Sequence, residues 1–296
     1  MSIASILSKL VIALRPIQWT KNVLLFAPLL FSQRVFDLHR DTRTVLGFLI
    51  FCGVSSAIYL FNDVKDREED RKHPLKKFRP IAAGLLPVSF TLIFAIVLTV
   101  IGLGVSFLFS LNFFYITALY ITLQILYTFF LKHIVILDVF SVAAGFFIRV
   151  VAGAFVSEVS ISYWLIICTI LLSLFLALAK RRHEQVLLGD DAVNHRKILM
   201  EYSPYFLDQM IGVVTATTLM SYILYTVSAE TVSKFRTHGL LATVPFVLYG
   251  IFRYLYLIHQ KRLGGNPETI ILTDKPLLIN IILWGITAFF VIYVFK

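Results

Sequence analysis

The stretch from Pro80 to Leu131, PIAAGLLPVSFTLIFAIVLTVIGLGVSFLFSLNFFYITALYITLQILYTFFL, contains no Asp, Glu, Lys or Arg. The hydrocarbon core of a bilayer is about 30 Å thick and requires roughly 20 apolar residues per helix. This stretch is therefore long enough for two membrane helices with a turn near Ser110. The chain has four further charge-free stretches, at 44–62, 159–179, 209–229 and 277–295. The sequence predicts an all-α membrane protein.

The composition excludes a soluble helical bundle. Hydrophobic residues make up 58% of the 296 residues and charged residues 15%, whereas a soluble domain is typically about 45–50% apolar and about 25% charged. Once weaker apolar segments are included, the sequence predicts one polytopic domain, 1–296, with nine transmembrane helices. The predicted spans are 23–37, 43–62, 88–109, 112–131, 135–156, 160–180, 206–227, 239–258 and 277–295.

The lysine and arginine residues predict which helix ends face the cytoplasm. With the N-terminus inside, 19 of the 27 basic residues fall in inner segments, six in outer segments and two within spans. This bias follows the positive-inside rule and accounts for the net charge of +10 without a nucleic-acid partner. The predicted cytoplasmic segments are an amphipathic, interfacial N-terminus (1–22) and the loops 63–87, 180–205 and 259–276.

Three aspartates follow the second predicted span, in Asn62-Asp63-Val64-Lys65-Asp66-Arg67-Glu68-Glu69-Asp70. If the helix continues, Asp63, Asp66 and Asp70 lie at i, i+3 and i+7 on one face. Carboxylates that converge in this way repel one another unless a cation lies among them. Mg²⁺ prefers oxygen ligands, retains several waters and is commonly shared with substrate phosphates. The pattern therefore predicts a site that holds Mg²⁺ on a diphosphate.

A basic run, His73-Pro74-Leu75-Lys76-Lys77-Phe78-Arg79-Pro80, follows these acids. Its cations Lys76, Lys77 and Arg79 are expected to approach the phosphate oxygens that the metal leaves free. The alternative is a solvated loop of mixed charge, in which the acids are neutralised by the neighbouring residues Lys65, Arg67, Arg71 and Lys72.

The pattern Asn62-Asp63-x-x-Asp66-x-x-x-Asp70 resembles the first aspartate-rich motif of the UbiA superfamily of membrane prenyltransferases. That resemblance implies a nine-helix transmembrane bundle with a cytoplasmic polar cap. Nearly the whole chain resembles one branch of the superfamily, the decaprenyl-phosphate phosphoribosyltransferases. The similar segments are Arg15 to Asn22, Tyr59 to Gly84, Leu131-Lys132-His133 with Asp138, Gly145 to Gly153, and Ala179-Lys180-Arg181-Arg182-x-Glu184.

The branch resemblance implies a Mg²⁺-dependent reaction in the bacterial inner membrane. A 5-phosphoribosyl group would pass from phosphoribosyl pyrophosphate to a polyprenyl phosphate, releasing diphosphate, to supply a precursor of cell-envelope polysaccharide. Aromatic prenyltransferases of the superfamily carry a second aspartate-rich motif after the sixth span. Here that loop begins with Lys180-Arg181-Arg182, and its Asp190 and Asp191 are adjacent, so they point apart on a helix. The cations are expected to bind the 5-phosphate and the lipid phosphate.

The same resemblance implies substrate contacts for Asn62, for Lys132 on phosphate, and for Asp138 on metal or ribose hydroxyls. Arg149 lies within a predicted span, where an ionisable residue is costly and generally functional or paired. We expect it to bind phosphate; the alternative is an ion pair with a neighbouring helix.

Four residues are open to two interpretations each. Gln18 and Lys21 contact either substrate or lipid headgroups. Tyr127 contacts ribose or phosphate, or packs in the core. Glu184 orients Arg181, or is an ordinary loop acid. The segment 264–275 resembles a glycine-containing loop of the same branch and is a candidate lid.

Two other function classes remain open. The first is prenyl transfer from an allylic diphosphate to an aromatic or other acceptor, with the same aspartates holding the metal. The second is transport, which is disfavoured because the charges collect at one membrane face rather than along a path across it. The sequence leaves the lipid chain length and the oligomeric state open.

Overall fold

The computed structural model of the protein describes residues 3–74, 76–188, 197–261, 263, 265 and 267–294. Asp190 and Asp191, and Gly264 and Asn266 of the candidate lid, lie outside these residues. In chain order the helices are α1 (Ile3–Ala13), α2 (Ala27–Leu30), α3 (Leu38–Lys65), α4 (Arg67–Lys72), α5 (Val88–Phe109), α6 (Leu111–Phe129), α7 (Leu137–Ser157), α8 (Tyr163–Leu188), α9 (Pro204–Val227), α10 (Ala229–Phe235), α11 (Val244–His259), α12 (Pro267–Thr273) and α13 (Lys275–Tyr293).

Eight of the described helices are long and apolar enough to cross a membrane: α3, α5 to α9, α11 with the 3-10 turn before it, and α13. Their outward residues are apolar. On α5, for example, Ile93 and Val100 are both 63% exposed. Soluble proteins rarely expose apolar surface on this scale, so the chain is an integral membrane protein.

The chain divides into two compact units. The first comprises Met1–Leu30, Arg34–Lys132 and Ile148–Ser160, and the second comprises Phe31–Gln33, His133–Phe147 and Ile161–Lys296. The predicted single domain, 1–296, therefore stays a prediction.

In the first unit α3 packs against α5, α6 and the segment that precedes it in the chain. The turn between α5 and α6 lies at Ser110, as predicted, and the Ser110 hydroxyl accepts the Phe113 N–H at 3.2 Å to cap α6. The amphipathic N-terminus forms α1, which buries Leu10 and Ala13 and leaves Leu7, Val11 and Ile12 exposed. An apolar exposed face of this kind is typical of a helix that lies in a membrane interface.

The prediction of nine transmembrane α-helices is not confirmed, because the predicted span 23–37 is not a long helix. The chain instead forms a 3-10 helix from Pro16 to Phe26, followed by the single turn α2. Pro16 and Pro28 lack the backbone N–H group that donates the hydrogen bonds of an α-helix. Side chains of the 3-10 helix also bond to α3 rather than facing outward, as Trp19 does by donating to Ser56 at 2.9 Å.

The 3-10 helix runs along α3 in the opposite direction. Asn22 donates to Ser55 at 3.1 Å, and one turn further the ring of Phe26 lies 5.6 Å from that of Phe48. A 3-10 helix rises about 2.0 Å per residue, against 1.5 Å for an α-helix. The 15 residues from Pro16 to Leu30 therefore extend roughly 28 Å, close to the thickness of a bilayer core.

Gly153 of α7 allows this segment to approach closely. A Cβ atom at position 153 would lie 2.1 Å from the carbonyl oxygen of Leu25, which is itself completely buried. The contact is with backbone, which cannot swing away as a flexible side chain can.

In the second unit α8 packs along α9, and α11 packs on α13. The core includes Phe175, Leu178, Leu207 and Tyr254. Helix α8 continues to Leu188, eight residues beyond the predicted end of its span at 180. Lys180 to Glu184, predicted to begin a cytoplasmic loop, are therefore helical, and Arg181 and Glu184 pair at i and i+3.

Gly153→Ala should destabilise the protein by about 1–3 kcal/mol, the usual cost of overpacking, because the added methyl group collides with Leu25. Thermal unfolding in detergent measures this. Gly104→Ala is the matched control, since a Cβ atom there meets nothing within 4 Å. Equal stabilities for the two variants would contradict the close approach.

Candidate active site

The three aspartates lie where α3 ends and α4 begins. Asp66 joins the two helices, and helical hydrogen bonds continue across it. The Asp66 N–H donates to the Asn62 carbonyl at 2.8 Å, and the Asp70 N–H donates to the Asp66 carbonyl at 2.8 Å. Asp63 and Asp70 are only 2% and 3% exposed, whereas the Asp66 side chain is 25% exposed.

Three cations from distant parts of the first unit hold these carboxylates. Arg79 donates to Asp70 at 2.6 Å and to Asp63 at 3.2 Å. Arg15 also bonds to Asp63, and Lys132, itself buried, donates to Asp66 at 2.8 Å. The result is a cluster of three carboxylates and three cations, which we call the aspartate cluster.

Two of the neighbouring cations pair with Glu68 and not with the three aspartates. Arg71 pairs with Glu68 at 3.0 Å and Arg67 lies 3.9 Å from the same carboxylate. Of the basic run, Arg79 reaches the aspartates, whereas Lys77 is exposed with its ammonium 5.2 Å from the centre of the Phe78 ring. Lys76 is half-buried.

The aspartates do not form a preassembled metal cage. Among the described residues, no three His, Cys, Asp or Glu side chains are close enough together to hold a metal ion. Mg²⁺, however, is typically bound by one or two carboxylates together with substrate phosphates and waters, not by a cage of protein ligands. The donor set of the cluster therefore fits Mg²⁺ that arrives with a diphosphate.

The 3-10 helix places further polar residues beside Arg15. With three residues per turn, Gln18 and Lys21 share one face of the 3-10 helix, and Arg15 immediately precedes this helix with a left-handed backbone. Gln18 and Lys21 are both half-buried.

At the end of α6, Thr128 contacts the side-chain oxygen of Asn62, so this amide is held next to Asp63. Tyr127, the preceding residue, is half-buried in the same unit.

Arg149 lies in a buried polar network of the first unit. It is 4% exposed, and its Nε donates to the Asn22 side-chain oxygen at 2.8 Å while Nη2 donates to the Tyr120 hydroxyl at 2.8 Å. Asn22 in turn donates to Ser55. The Arg149 guanidinium thus donates to two uncharged side chains, those of Asn22 and Tyr120.

Asp138 belongs to a second cluster, in the second unit. It is fully buried, and both of its oxygens are bonded: Arg181 Nε donates to one at 2.6 Å and the Tyr202 hydroxyl to the other at 2.7 Å. The Tyr202 oxygen also accepts the N–H of Ile136 at 2.6 Å. Ile136 has a positive φ of 71°, which is strained for a β-branched residue, so this bond fixes an unfavourable turn.

The basic residues at the end of α8 are largely neutralised within the second unit. Arg181 contacts Glu184 in addition to Asp138, so Glu184 occupies the orienting position considered in the sequence. Arg182 pairs with Asp208. Lys180 is half-buried. Arg181 and Arg182 thus have carboxylate partners, and the contact of these cations with phosphates stays a prediction.

Sequence reasoning did not select Arg15, Tyr120 or Tyr202 for the site. Arg15 lies in the segment Arg15 to Asn22, which resembles the family branch, so this resemblance could have selected it. Tyr202 is 64 residues from Asp138, and no local pattern marks it. Burial and its bond to Asp138 raise the pKa of the Tyr202 phenol, so it remains a protonated donor at neutral pH.

Tyr202→Phe should lower the free energy of unfolding by about 1–3 kcal/mol, because it leaves a buried carboxylate oxygen and the Ile136 N–H without their partner. Thermal unfolding of the purified protein measures the change. Tyr205→Phe is the control, since Tyr205 is 74% exposed. If both variants unfold like the parent, the Tyr202 bonds do not stabilise the cluster.

Comparison with known proteins places these features in context. The model of the UbiA prenyltransferase family matches residues 23–272. The decaprenyl-phosphate phosphoribosyltransferase of Corynebacterium glutamicum is 34% identical over 95% of this chain and 86% of its own length. The decaprenyl-phosphate phosphoribosyltransferase of Mycolicibacterium smegmatis is 35% identical over 95% of this chain and 91% of its own.

Among solved structures, a UbiA homolog from Archaeoglobus fulgidus bound to GPP and Mg²⁺ has a similar fold. Its TM-score is 0.71, with 18% sequence identity over 97% of this chain and 100% of that one. At this identity the similarity concerns the fold alone.

Proposed function

The chain belongs to the UbiA prenyltransferase family, and we propose that it is a polyprenyl-phosphate phosphoribosyltransferase of the bacterial inner membrane. It transfers the 5-phosphoribosyl group of phosphoribosyl pyrophosphate to a polyprenyl phosphate at the cytoplasmic face, for synthesis of a cell-envelope polysaccharide. The observation that carries this proposal is the aspartate cluster, in which Asp63, Asp66 and Asp70 are balanced by three cations. The two relatives named decaprenyl-phosphate phosphoribosyltransferase support it.

Charge balance suggests how the cluster accepts substrate. With three carboxylates and three cations it carries no net charge, and a magnesium diphosphate is itself close to neutral. On binding, the aspartates would exchange their cations for Mg²⁺, and Arg15, Arg79 and Lys132 would turn to phosphate oxygens. Such an exchange leaves no buried charge unpaired, which would otherwise cost several kcal/mol.

The reaction needs no general base from the protein. A phosphate monoester has a second pKa of about 6 and is mostly ionised at neutral pH, so a lipid phosphate oxygen can attack the anomeric carbon directly. The new bond joins that oxygen to the anomeric carbon, and the bond from this carbon to diphosphate breaks with its electrons leaving on diphosphate. When bound, Mg²⁺ would stabilise the departing charge, and the three released cations would assist it.

The remaining polar residues have proposed binding roles. In the first unit, Asn62, Gln18, Lys21 and Tyr127 contact ribose or phosphate, and Arg149 binds phosphate. Lys76 and Lys77 assist Arg79 near the diphosphate. In the second unit, Lys180 and Arg181 bind phosphate, with Asp138 and Glu184 orienting Arg181.

A second candidate is prenyl transfer from an allylic diphosphate. The A. fulgidus homolog bound to GPP and Mg²⁺ favours it, since the fold is similar and the aspartate cluster would serve any magnesium diphosphate. Against it, the sequence between α8 and α9 contains only adjacent aspartates, Asp190 and Asp191, and not a spaced pair. They are not a second aspartate-rich motif.

The experiment that tests the proposal supplies purified protein with Mg²⁺, phosphoribosyl pyrophosphate and a polyprenyl monophosphate. Diphosphate release and a phosphoribosylated lipid, both abolished by EDTA, are the expected result. Consumption of geranyl diphosphate with an aromatic acceptor, and no product from phosphoribosyl pyrophosphate, would favour the second candidate instead.

Asp66→Asn should reduce this transfer by at least about 10²-fold, a typical loss when one charge-stabilising group is removed from an active site. Steady-state rates at saturating Mg²⁺ measure it. Glu69→Gln, a change in an exposed acid of the same short helix, should leave the rate nearly unchanged. Equal losses in both variants would show that overall charge, and not the aspartate cluster, matters.

A further inference from the structure

The second unit contains a polar cavity that the proposed reaction does not use. It has a volume of about 320 Å³ and is lined by Gln33, Ser233, Lys234, Phe235 and Arg236. It lies beyond the end of α9, whereas Tyr202 lies just before the start of this helix. The 24 residues of α9 span roughly 36 Å at about 1.5 Å per residue. The cavity is therefore far from the Asp138 cluster, on the face predicted to lie outside.

Two cations in the wall of this cavity form no ion pair within the described part of the chain. Neither Lys234 nor Arg236 has an acidic oxygen within 4.0 Å among the described residues. Two other cations predicted to lie outside are paired: Arg40 with Asp37 at 3.0 Å, and Arg43 with Glu158 at 3.1 Å in the first unit.

Lys234 is half-buried, so its charge is poorly hydrated. Burial lowers the pKa of its ammonium group, and Glu230, one turn earlier on α10, offsets this only in part. A partly buried cation that keeps its charge is stabilised by a nearby anion. The cavity therefore provides space next to a cation that would gain from an anionic ligand.

The backbone at the cavity is also strained. Gln33 and Arg236 have positive φ values of 61° and 57°, so two of the five lining residues adopt a left-handed conformation. Arg236 ends α10 at the position where glycine is usual, because glycine adopts this conformation without steric cost. Strain of this kind tends to persist where a side chain has a function.

We propose that this cavity binds a phosphate group. Arg236 would supply a planar pair of donors that matches phosphate oxygens, Lys234 a charged donor, and Ser233 a hydroxyl. The phosphate belongs either to the headgroup of an anionic membrane lipid or to free inorganic phosphate, since both present the same oxygens. The site is distinct from the aspartate cluster and does not depend on the transfer reaction.

Arg236→Gly separates binding from folding. Glycine removes the donors and relieves the left-handed strain, so the variant should be at least as heat-stable as the parent when no anion is bound. Lys234→Gln removes the second charge. Lys275→Gln, a change in an exposed lysine at the start of α13, is the charge-matched control.

Native mass spectrometry of protein released from nanodiscs of mixed phosphatidylglycerol and phosphatidylcholine tests the lipid source. Calorimetric titration with inorganic phosphate, in phosphatidylcholine alone, tests the free ion. In at least one arm the parent and Lys275→Gln should bind, and Arg236→Gly and Lys234→Gln should bind at least about tenfold more weakly, as expected for loss of a charge-assisted hydrogen bond. Binding that is equal in all four proteins, or absent from the parent in both arms, would overturn the proposal.

Discussion

The guanidinium of Arg79 lies between two buried carboxylates, 2.6 Å from Asp70 and 3.2 Å from Asp63. A buried carboxylate without a counter-charge is strongly destabilising, so this interaction constrains the whole first unit. It ties the loop after α4 to the end of α3. Arg15 and Lys132 extend the same requirement to the start of the 3-10 helix and to the end of α6. The need of the buried carboxylates for counter-charges thus determines both how these segments pack and which charged groups meet at the site.

This arrangement explains how a site with three aspartates can remain folded before any metal binds. Each carboxylate has a cation, and a substrate that carries both Mg²⁺ and phosphate oxygens can replace both members of a pair at once. Mg²⁺ alone would have to compete with three bound cations and would release them without partners. Phosphate oxygens alone would attract the cations, and the buried carboxylates would then repel one another without counter-charges. Metal and diphosphate should therefore bind as a pair.

Hydropathy was sufficient to predict eight of the membrane helices, because long apolar runs have few alternatives in a bilayer. The acidic pattern after α3 likewise selected Asp63, Asp66 and Asp70, all three of which belong to the aspartate cluster, and their role as metal ligands stays a prediction. The partners of these residues were not predictable, since Arg15 lies 48 residues from Asp63 and Lys132 lies 66 residues from Asp66. The 3-10 form of 16–26 was missed for a different reason: its polar residues bond to α3, and such tertiary bonds leave no periodic signal. Tyr202 was missed for both reasons: its partner Asp138 is 64 residues away in the sequence, and their bond is a tertiary contact.

The exchange of cations for a magnesium diphosphate at the aspartates can be tested by calorimetry. Mg²⁺ and phosphoribosyl pyrophosphate are each titrated into the protein, with and without the other ligand. We expect phosphoribosyl pyrophosphate to bind at least about tenfold more tightly when Mg²⁺ is present, within the usual range of coupling between two ligands. We expect no saturable binding of Mg²⁺ to the protein alone. Saturable Mg²⁺ binding of equal strength with and without the diphosphate would contradict the exchange.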